Sequence, residues 1–408
     1  MKVLQINGVA KSGSTGKIVS GIEKELVSDG HISLIAYSGN KESFIDGNYY
    51  KVGSRLTTKV HQILAFLLGD AGFHSSLETK RLINYIKREK PDIIHLHNIY
   101  SFYLNVDMLM SFLSVNDIPV VWTIHDCWAF TGKCTHFIFN GCEKWKNACY
   151  SCPLWREYPT SLFFDRTRSL YRRKKKLYDG LNNKMMLVCV SHWLKSIVDQ
   201  SMLKNFPNTV IYNGINLDIF KPAVTKNMRE KYNLTDKTVV LGVSNGWGKN
   251  KGLQEFLELS KIIDESICIV LVGLSDDQIN SLPKNILGIP KTKNAEELSE
   301  WYNNADVFVS FSKAETMGMV VVEALSCGTP AVVMPTTASP ELIDATTGFV
   351  NASATPTECY QHIKQVQKHG KSYYSFSCIQ RAGELFSSTT NYKKYVELYK
   401  KMLGEGNL

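Results

Sequence analysis

The chain has 408 residues, 44% hydrophobic and 21% charged, and its Lys and Arg residues exceed Asp and Glu by nine. This composition excludes a disordered or low-complexity chain. No apolar run approaches the ~18 to 20 residues of a membrane helix, and the modest positive balance fits small anions or a phospholipid surface better than nucleic acid. The opening MKVLQINGVAKSGS enters a strand-like run directly, so no secretory signal is expected; the ten cysteines are expected to be thiols in a cytoplasmic protein.

Short β-branched runs alternate with longer amphipathic stretches. Strands are predicted at Val3–Asn7, Ile32–Ser38, Asp92–His97, Val120–His125, Met186–Ser191 and Thr209–Tyr212, with helices at Lys17–Asp29 and Ser76–Arg88 among others. A second series follows at Val239–Ser244, Ile267–Gly273, Ile286–Ile289, Val307–Ser312, Ala331–Met334 and Phe349–Asn351, with a helix at Leu253–Asp264. The alternation predicts an α/β protein with parallel sheets and right-handed crossovers. Because the series runs twice around Asn213-Gly214, two Rossmann-like domains facing each other across a cleft are expected, over residues 1–213 and 214–385. The amphipathic run Asn391–Leu403, within a final segment 386–408, has no strand after it and is expected to pack back on the first domain.

Two stretches carry candidate chemistry. After the first strand, Asn7-Gly8-Val9-Ala10-Lys11-Ser12-Gly13-Ser14-Thr15-Gly16-Lys17 places glycines before a helix N-terminus. Such a loop suits phosphate or a sugar hydroxyl, though it is neither a dinucleotide fingerprint nor a P-loop, and a plain βα turn fits equally. In the second half, Glu315 and Glu323 stand eight residues apart, the first in a loop at a strand end and the second on the following helix. They enclose Gly318 and precede Cys327-Gly328-Thr329-Pro330. A carboxylate turned toward a ribose and a helix N-terminus beneath a diphosphate would explain the pattern.

The E-x7-E pattern followed by EALSCGTPAVV resembles the signature of the retaining glycosyltransferases of family 4, which have the GT-B architecture. The likeness extends in order through GSTGKI, PDIIHLHN (Pro91–Asn98), TIHDCW (Thr123–Trp128), VIYNGINLDIFKP (Val210–Pro222) and Lys251-Gly252. It is nearest to the branch that builds bacterial capsule and O-antigen lipopolysaccharide. The resemblance implies transfer of a hexose, with retention, from a nucleotide-diphosphate sugar to a lipid-linked or saccharide acceptor at the inner face of the cell membrane. No catalytic metal and no nucleic-acid partner are expected. It implies that Glu323 binds the ribose and Glu315 faces the donor sugar. Lys251 would meet the diphosphate, His125 would lie beside the sugar, and Gly318, Met319 and Asn245 would complete the donor set. Gly13, Ser14 and Gly16 would form the diphosphate and acceptor loop. A nucleotide-sugar epimerase and a non-catalytic sugar-nucleotide-binding scaffold are the competing readings.

The chain departs from the family pattern in three places. Gly246 stands where an Arg is usual, leaving Lys249 as a replacement cation. Glu315-Thr-Met-Gly318 replaces the common Glu-Gly/Thr-Phe-Gly, and Thr337-Ala338-Ser339 replace glycines ahead of Pro340-Glu341.

Other features stay open on sequence. Cys134, Cys142, Cys149 and Cys152 have the spacing C-x7-C-x6-C-x2-C, which suits a structural zinc site, buried thiols or, in an oxidising compartment, disulfides. Cys189, Cys268, Cys327, Cys359 and Cys378 read as buried small hydrophobes. His95 and His97 share a strand face, where a structural hydrogen bond and a place at the cleft both fit. Asn98, Tyr100 and Asn105 are acceptor-site candidates, while Trp301 and Tyr302 read as core. The basic run Arg166–Lys176 reads as a solvated helix face or as a contact with anionic lipid headgroups.

Overall fold

The computed structural model describes residues 1–38, 44, 47–181, 184–224 and 227–405. The chain forms two compact units: Met1–Ile211 together with Tyr392–Leu408, and Tyr212–Asn391. The division falls two residues before the expected border, and the returning segment joins the first unit at Tyr392 rather than at residue 386.

The first unit contains strands β1 (Lys2–Asn7), β2 (Ile32–Ser38), β3 (Tyr49–Val52), β4 (Ile93–Leu96), β5 (Val120–Ile124), β6 (Met185–Cys189) and β7 (Asn208–Val210). Its helices are α1 (Gly13–Ser28), α2 (Arg55–Leu68), α3 (Ser76–Glu89), α4 (Val106–Val115), α5 (Thr167–Tyr178) and α6 (His192–Val198). The sheet is parallel throughout, in the order β3-β2-β1-β4-β5-β6-β7. β4 and β5 are buried along their whole length, as strands covered on both faces must be.

The second unit repeats the scheme. It has α7 (Asn227–Lys231), β8 (Thr238–Val243), α8 (Leu253–Leu259), β9 (Ile267–Val272), α9 (Asp276–Asn280), β10 (Ile286–Ile289) and α10 (Ala295–Asn304). There follow β11 (Val307–Ser310), α11 (Met319–Ser326), β12 (Ala331–Val333), β13 (Gly348–Val350), α12 (Pro356–His369) and α13 (Lys371–Phe386). Its parallel sheet runs β10-β9-β8-β11-β12-β13. In each sheet the order turns back at its first strand, so neighbouring crossovers leave on opposite faces and open a crevice at the strands' C-terminal ends.

Most predicted strands lie within two residues of the observed ones. β3 was not anticipated: its sequence, YYKV, has no alternation and sits at the sheet edge. α1 begins four residues early, at Gly13. α8 stops at Leu259, beyond which the bonds tighten to three-residue turns, Lys261 N–H to Glu258 O and Ile262 N–H to Leu259 O. Near the expected hinge, Ile215 N–H donates to Phe386 O at 2.7 Å and Ser388 N–H to Ile215 O at 3.0 Å, so the outgoing and returning segments are bonded side by side.

The returning helix α14 (Ser388–Met402) completes the first core. Tyr392, Tyr395, Val396 and Tyr399 pack with Ile18, Ile22 and Leu26 of α1 over Val3, Ile93, Val121 and Val188 of the sheet. Residues 406–408 of the expected final segment lie outside the described residues. Gly21 makes the approach of α14 to α1 possible, because a Cβ there would sit 2.1 Å from the Tyr392 ring. In an unobstructed helix interior, Gly→Ala stabilises by roughly 0.5–1 kcal/mol. Here the clash reverses the sign. Gly21→Ala is expected to lower stability by about 1–3 kcal/mol, read from urea midpoints, and adding Tyr392→Leu should restore most of it.

Candidate active site

In the first unit the candidate residues gather where β1, β4 and β5 end. Asn7 closes β1 and pins the loop after it: its amide donates to Val9 O at 2.8 Å and Thr15 Oγ1 at 3.2 Å, and its Oδ1 accepts from Asn98 N–H at 3.2 Å. Gly13 opens α1, Ser14 is exposed and Gly16 is buried. The Ser12 side chain makes no capping hydrogen bond to α1, and a helix N-terminus of this kind suits an anion.

His125 follows β5 directly and is held by a buried polar line. The Gln5 amide donates to Val19 O at 3.1 Å, which fixes its Oε1 as an acceptor toward His97 Nε2 at 3.3 Å. His97 Nε2 therefore carries the proton, and its Nδ1 accepts from His125 Nε2, 3.0 Å away. The His125 tautomer follows: Nε2 is protonated and Nδ1 is a lone-pair acceptor. A parallel line runs beneath α14, from Tyr399 hydroxyl to His95 Nδ1 (2.6 Å), His95 Nε2 to Thr123 Oγ1 (2.7 Å) and Thr123 Oγ1 to Tyr395 hydroxyl (3.2 Å). Burial pushes the His125 pKa down to about 4 and holds those of His95 and His97 well below the ordinary histidine value. All three are neutral at pH 7.

Beside His125 lies a small pocket walled by His97, Asn98, Tyr100, Asp126 and Trp128 among others. Tyr100 stacks on Trp128 and donates to Asp126 Oδ2 at 2.5 Å, while Trp128 N–H donates to Asp126 Oδ1 at 2.8 Å. Burial raises the Asp126 carboxyl, and the Tyr100 and Trp128 bonds oppose that shift. Of the acceptor candidates, Asn98 and Tyr100 line this cavity. Asn105 does not: it caps α4 through Met108 N–H and donates to Phe73 O, a structural role.

In the second unit the candidates lie at the ends of β8 and β11. Lys251 Nζ meets Glu315 Oε1 at 2.5 Å, and the Ser312 hydroxyl donates to the same oxygen at 2.7 Å. Gly318, with φ +86°, adopts a conformation few other residues tolerate and opens α11 with no side chain over its N–H groups. Met319 is the first residue of that helix and is half-buried. Glu323, about one turn further along α11, accepts from the buried Tyr302 hydroxyl at 2.8 Å, and Thr329 Oγ1 in turn fixes Tyr302 O at 2.7 Å. Asn245 is exposed after β8, beside Gly246, whose φ of +106° disfavours the Arg usual at that position. Lys249 is exposed in the same loop.

The altered glycine stretch has a structural answer. Thr337 has φ +56°, a left-handed conformation costing roughly 1–3 kcal/mol for such a residue. Its Oγ1 accepts from Glu315 N–H at 3.0 Å and donates to Thr336 O at 2.7 Å, which offsets part of that cost and ties the loop to Glu315.

The four clustered thiols line one cavity with Phe137 and Trp145. Cys134 and Cys152 approach to 3.6 Å, but the Cys149 sulfur is occupied by Gly132 N–H at 3.1 Å. Among the described residues no three His, Cys, Asp or Glu side chains are grouped to hold a metal ion, and all ten cysteines are free thiols. Cys268 is half-exposed, unlike the other cysteines expected in the core. The basic run is not uniformly solvated either: Lys174 is fully buried, 3.4 Å from the Trp128 ring centre, and donates to Trp128 O at 2.6 Å.

Two family models match the chain, "Glycosyltransferase Family 4" over residues 19–219 and "Glycosyl transferases group 1" over residues 237–369. The chain belongs to the family 4 glycosyltransferases. A relative of this glycosyltransferase, the putative colanic acid biosynthesis glycosyl transferase WcaC of Escherichia coli K12, is 23% identical and aligns over 98% of this chain and all of its own. Among solved structures, sucrose-phosphate synthase of Thermosynechococcus elongatus aligns at TM-score 0.72 and 15% identity, covering 99% of this chain and 100% of that one. Anabaena HepE, solved with UDP, aligns at 0.67 and 15%, covering 98% and 100%. These likenesses establish the GT-B fold.

Sequence reading missed Gln5 and Asp126. The signal for Gln5 was a polar residue inside an apolar strand; for Asp126 it was the acid directly after His125.

The glycosyltransferase's buried histidines make its stability depend on pH. His61 is pushed down to about 3 by burial, joining His95, His97 and His125. These groups stay neutral in the folded chain but take up protons near pH 6.5 once unfolded, so stability is full above that value and falls as pH drops toward 4. Each withheld proton steepens the loss by about 1.4 kcal/mol per pH unit. Urea midpoints at pH 7, 6 and 5 should fall progressively, and less steeply in His95→Gln.

Proposed function

We propose that this glycosyltransferase moves a hexose, with retention of configuration, from a nucleoside-diphosphate sugar to a lipid-linked or saccharide acceptor in surface polysaccharide assembly. The carrying observation is the grouping in the second unit of Lys251, Ser312 and Glu315 with Glu323 and the Gly318-opened helix. A ribose presents a pair of hydroxyls, which a carboxylate held by Tyr302 accepts as a bidentate partner. A diphosphate brings negative charge, for which Lys251 and the α11 N–H groups are the matching donors. Anabaena HepE, alike in fold, was solved with UDP and with UDP-glucose, which supports a uridine donor. WcaC, named for colanic acid biosynthesis, supports the polysaccharide setting.

The chemistry assigned to the site needs no protein nucleophile. The acceptor hydroxyl oxygen bonds to the anomeric carbon on the face from which the diphosphate departs. The carbon–oxygen bond to phosphate breaks with its electron pair on the phosphate oxygen, and that oxygen takes the acceptor's proton. Lys251 stabilises the charge developing on the leaving group. His125, neutral and fixed in tautomer, offers Nδ1 as an acceptor for a sugar hydroxyl.

Calorimetric titration with UDP, GDP, ADP and CMP tests the donor reading. One nucleoside diphosphate should bind, and Glu323→Ala and Lys251→Ala should each weaken it at least tenfold, about 1.4 kcal/mol, while both variants stay folded; Glu323→Ala also leaves the buried Tyr302 hydroxyl unpaired and should lower stability by about 1–3 kcal/mol. Unchanged affinity in both variants would remove the assignment. The anomeric coupling of the product, read by proton NMR, decides retention.

A further inference from the structure

Between β5 and α5 the chain runs from His125 to Arg166 with only three single-turn helices, Cys127–Phe130, Ile138–Asn140 and Lys144–Lys146. A connection of this length without regular structure is uncommon in a compact unit, and something other than a backbone ladder must hold it. Its first residues belong to the candidate site, because Asp126 and Trp128 wall the pocket beside His125. Further along, Phe130, Phe137 and Trp145 pack ring against ring, and Cys134, Cys142, Cys149 and Cys152 line one small cavity beside Phe137 and Trp145.

The Cys134 and Cys152 sulfurs are 3.6 Å apart. A disulfide closes that separation to about 2.05 Å, whereas two thiolates on one tetrahedral zinc ion, each about 2.3 Å from it, stand roughly 3.8 Å from one another. Cys142 and Cys149 are near enough to act electrostatically on the Cys134 thiol. The four sulfurs do not meet at one centre as they stand. Cys134 and Cys152 form one edge of a tetrahedron, and side-chain rotation of Cys142 and Cys149 within the shared cavity would supply the opposite edge. The surrounding backbone suits sulfur anions. Gly132 N–H donates to the Cys149 sulfur at 3.1 Å, and Cys152 N–H is tied to Asp165 Oδ2 at 2.7 Å, which steadies the short step from Cys149 to Cys152. Charge points the same way. Lys133 and Lys174 are buried in this segment's packing, where Lys133 donates to Trp155 O and Lys174 to Trp128 O and Thr131 O. Four thiolates on a divalent ion leave a net negative charge, and two buried ammonium groups balance it.

We propose that Cys134, Cys142, Cys149 and Cys152 bind one structural zinc ion, which holds the 125–166 segment in place of a backbone ladder. Each thiol releases its proton to solvent on binding and each sulfur contributes a lone pair, so the step needs no oxidant. The Cys134–Cys152 edge favours a single ion over an iron–sulfur cluster, whose thiolates bind separate irons and stand farther apart. The ion would also steady the candidate site: Thr131 Oγ1 donates to Cys134 O at 2.7 Å, and Lys174 joins Thr131 O to Trp128 O. The proposal stands independently of the donor assignment, whose residues lie in the second unit.

The test is elemental analysis of the full chain, produced with added zinc salt and purified under reducing conditions. One zinc per chain and no comparable iron are expected. Cobalt(II) exchanged into the unaltered chain should give the visible bands and the sulfur-to-metal charge-transfer absorption of a tetrahedral thiolate site. Cys149→Ser with Cys152→Ser should hold at least tenfold less zinc, while Cys268→Ser, outside the cluster, should hold as much as the parent. Cys142→His keeps a zinc ligand at that position and should retain the metal with a shifted cobalt spectrum. Stripping the metal with a mercurial that caps the thiols should release the zinc to an indicator dye and lower the melting temperature by about 5 °C or more. The cobalt spectrum is read on the unaltered chain, so it decides the ligands even where a variant fails to fold. Absence of zinc, iron in its place, zinc undiminished in the double serine variant, or a cobalt spectrum without thiolate absorption overturns the proposal.

Discussion

The first unit depends on hydrogen bonds between neutral imidazoles in a place where charge is forbidden. His95 and His97 are enclosed between the sheet and α14, their rings 4.0 Å apart. Two adjacent cations there would face both desolvation and mutual repulsion. Neutrality gives each ring one donor and one acceptor, and the surrounding groups fit that division: Gln5 and Thr123 accept, Tyr399 donates, and His125 completes the line. The same arrangement that satisfies the core orients the ring at the end of β5. Packing and site geometry are therefore one constraint.

The second unit works differently. Its candidate groups lie at loop ends and are partly exposed, with Lys251 and Glu315 paired across two loops. A pair in this setting contributes little to stability. On the proposed reading that weakness is useful, because an arriving diphosphate competes for Lys251 at small cost. Glu323 is anchored more firmly, by a tyrosine hydroxyl that is itself buried. A fixed carboxylate for the nucleoside and an exchangeable cation for the phosphate divide recognition from reaction.

Much of this was legible in the sequence. Apolar runs such as Val239–Val243 and Ile267–Val272 carry the sheet in their own composition, and the order of motifs from GSTGKI to EALSCGTPAVV pointed to the GT-B family. What was hidden involved partners far apart in sequence. Nothing near Gln5 indicates a bond to a ring 92 residues away. Nothing near Lys174 says that it is buried against Trp128, since a run of RRKKK reads as solvated. Thr337 is the converse case: the missing glycine signalled a changed loop, yet the chain keeps the left-handed turn and supports it with a hydroxyl. The cysteine spacing did foretell that Cys134, Cys142, Cys149 and Cys152 line one cavity, but not which aromatic side chains wall it.

The position of α14 also sets an order of assembly. The first unit's core includes Tyr392, Tyr395 and Tyr399, yet all of Tyr212–Asn391 lies between them and the rest of that unit. During synthesis the early sheet emerges with one face uncovered and its histidines open to water. At about 5–20 residues per second, the intervening 180 residues take roughly ten to forty seconds. The second unit has all its strands by then. The unit whose strands are made first cannot close its core until Tyr392, Tyr395 and Tyr399 are available to cover it.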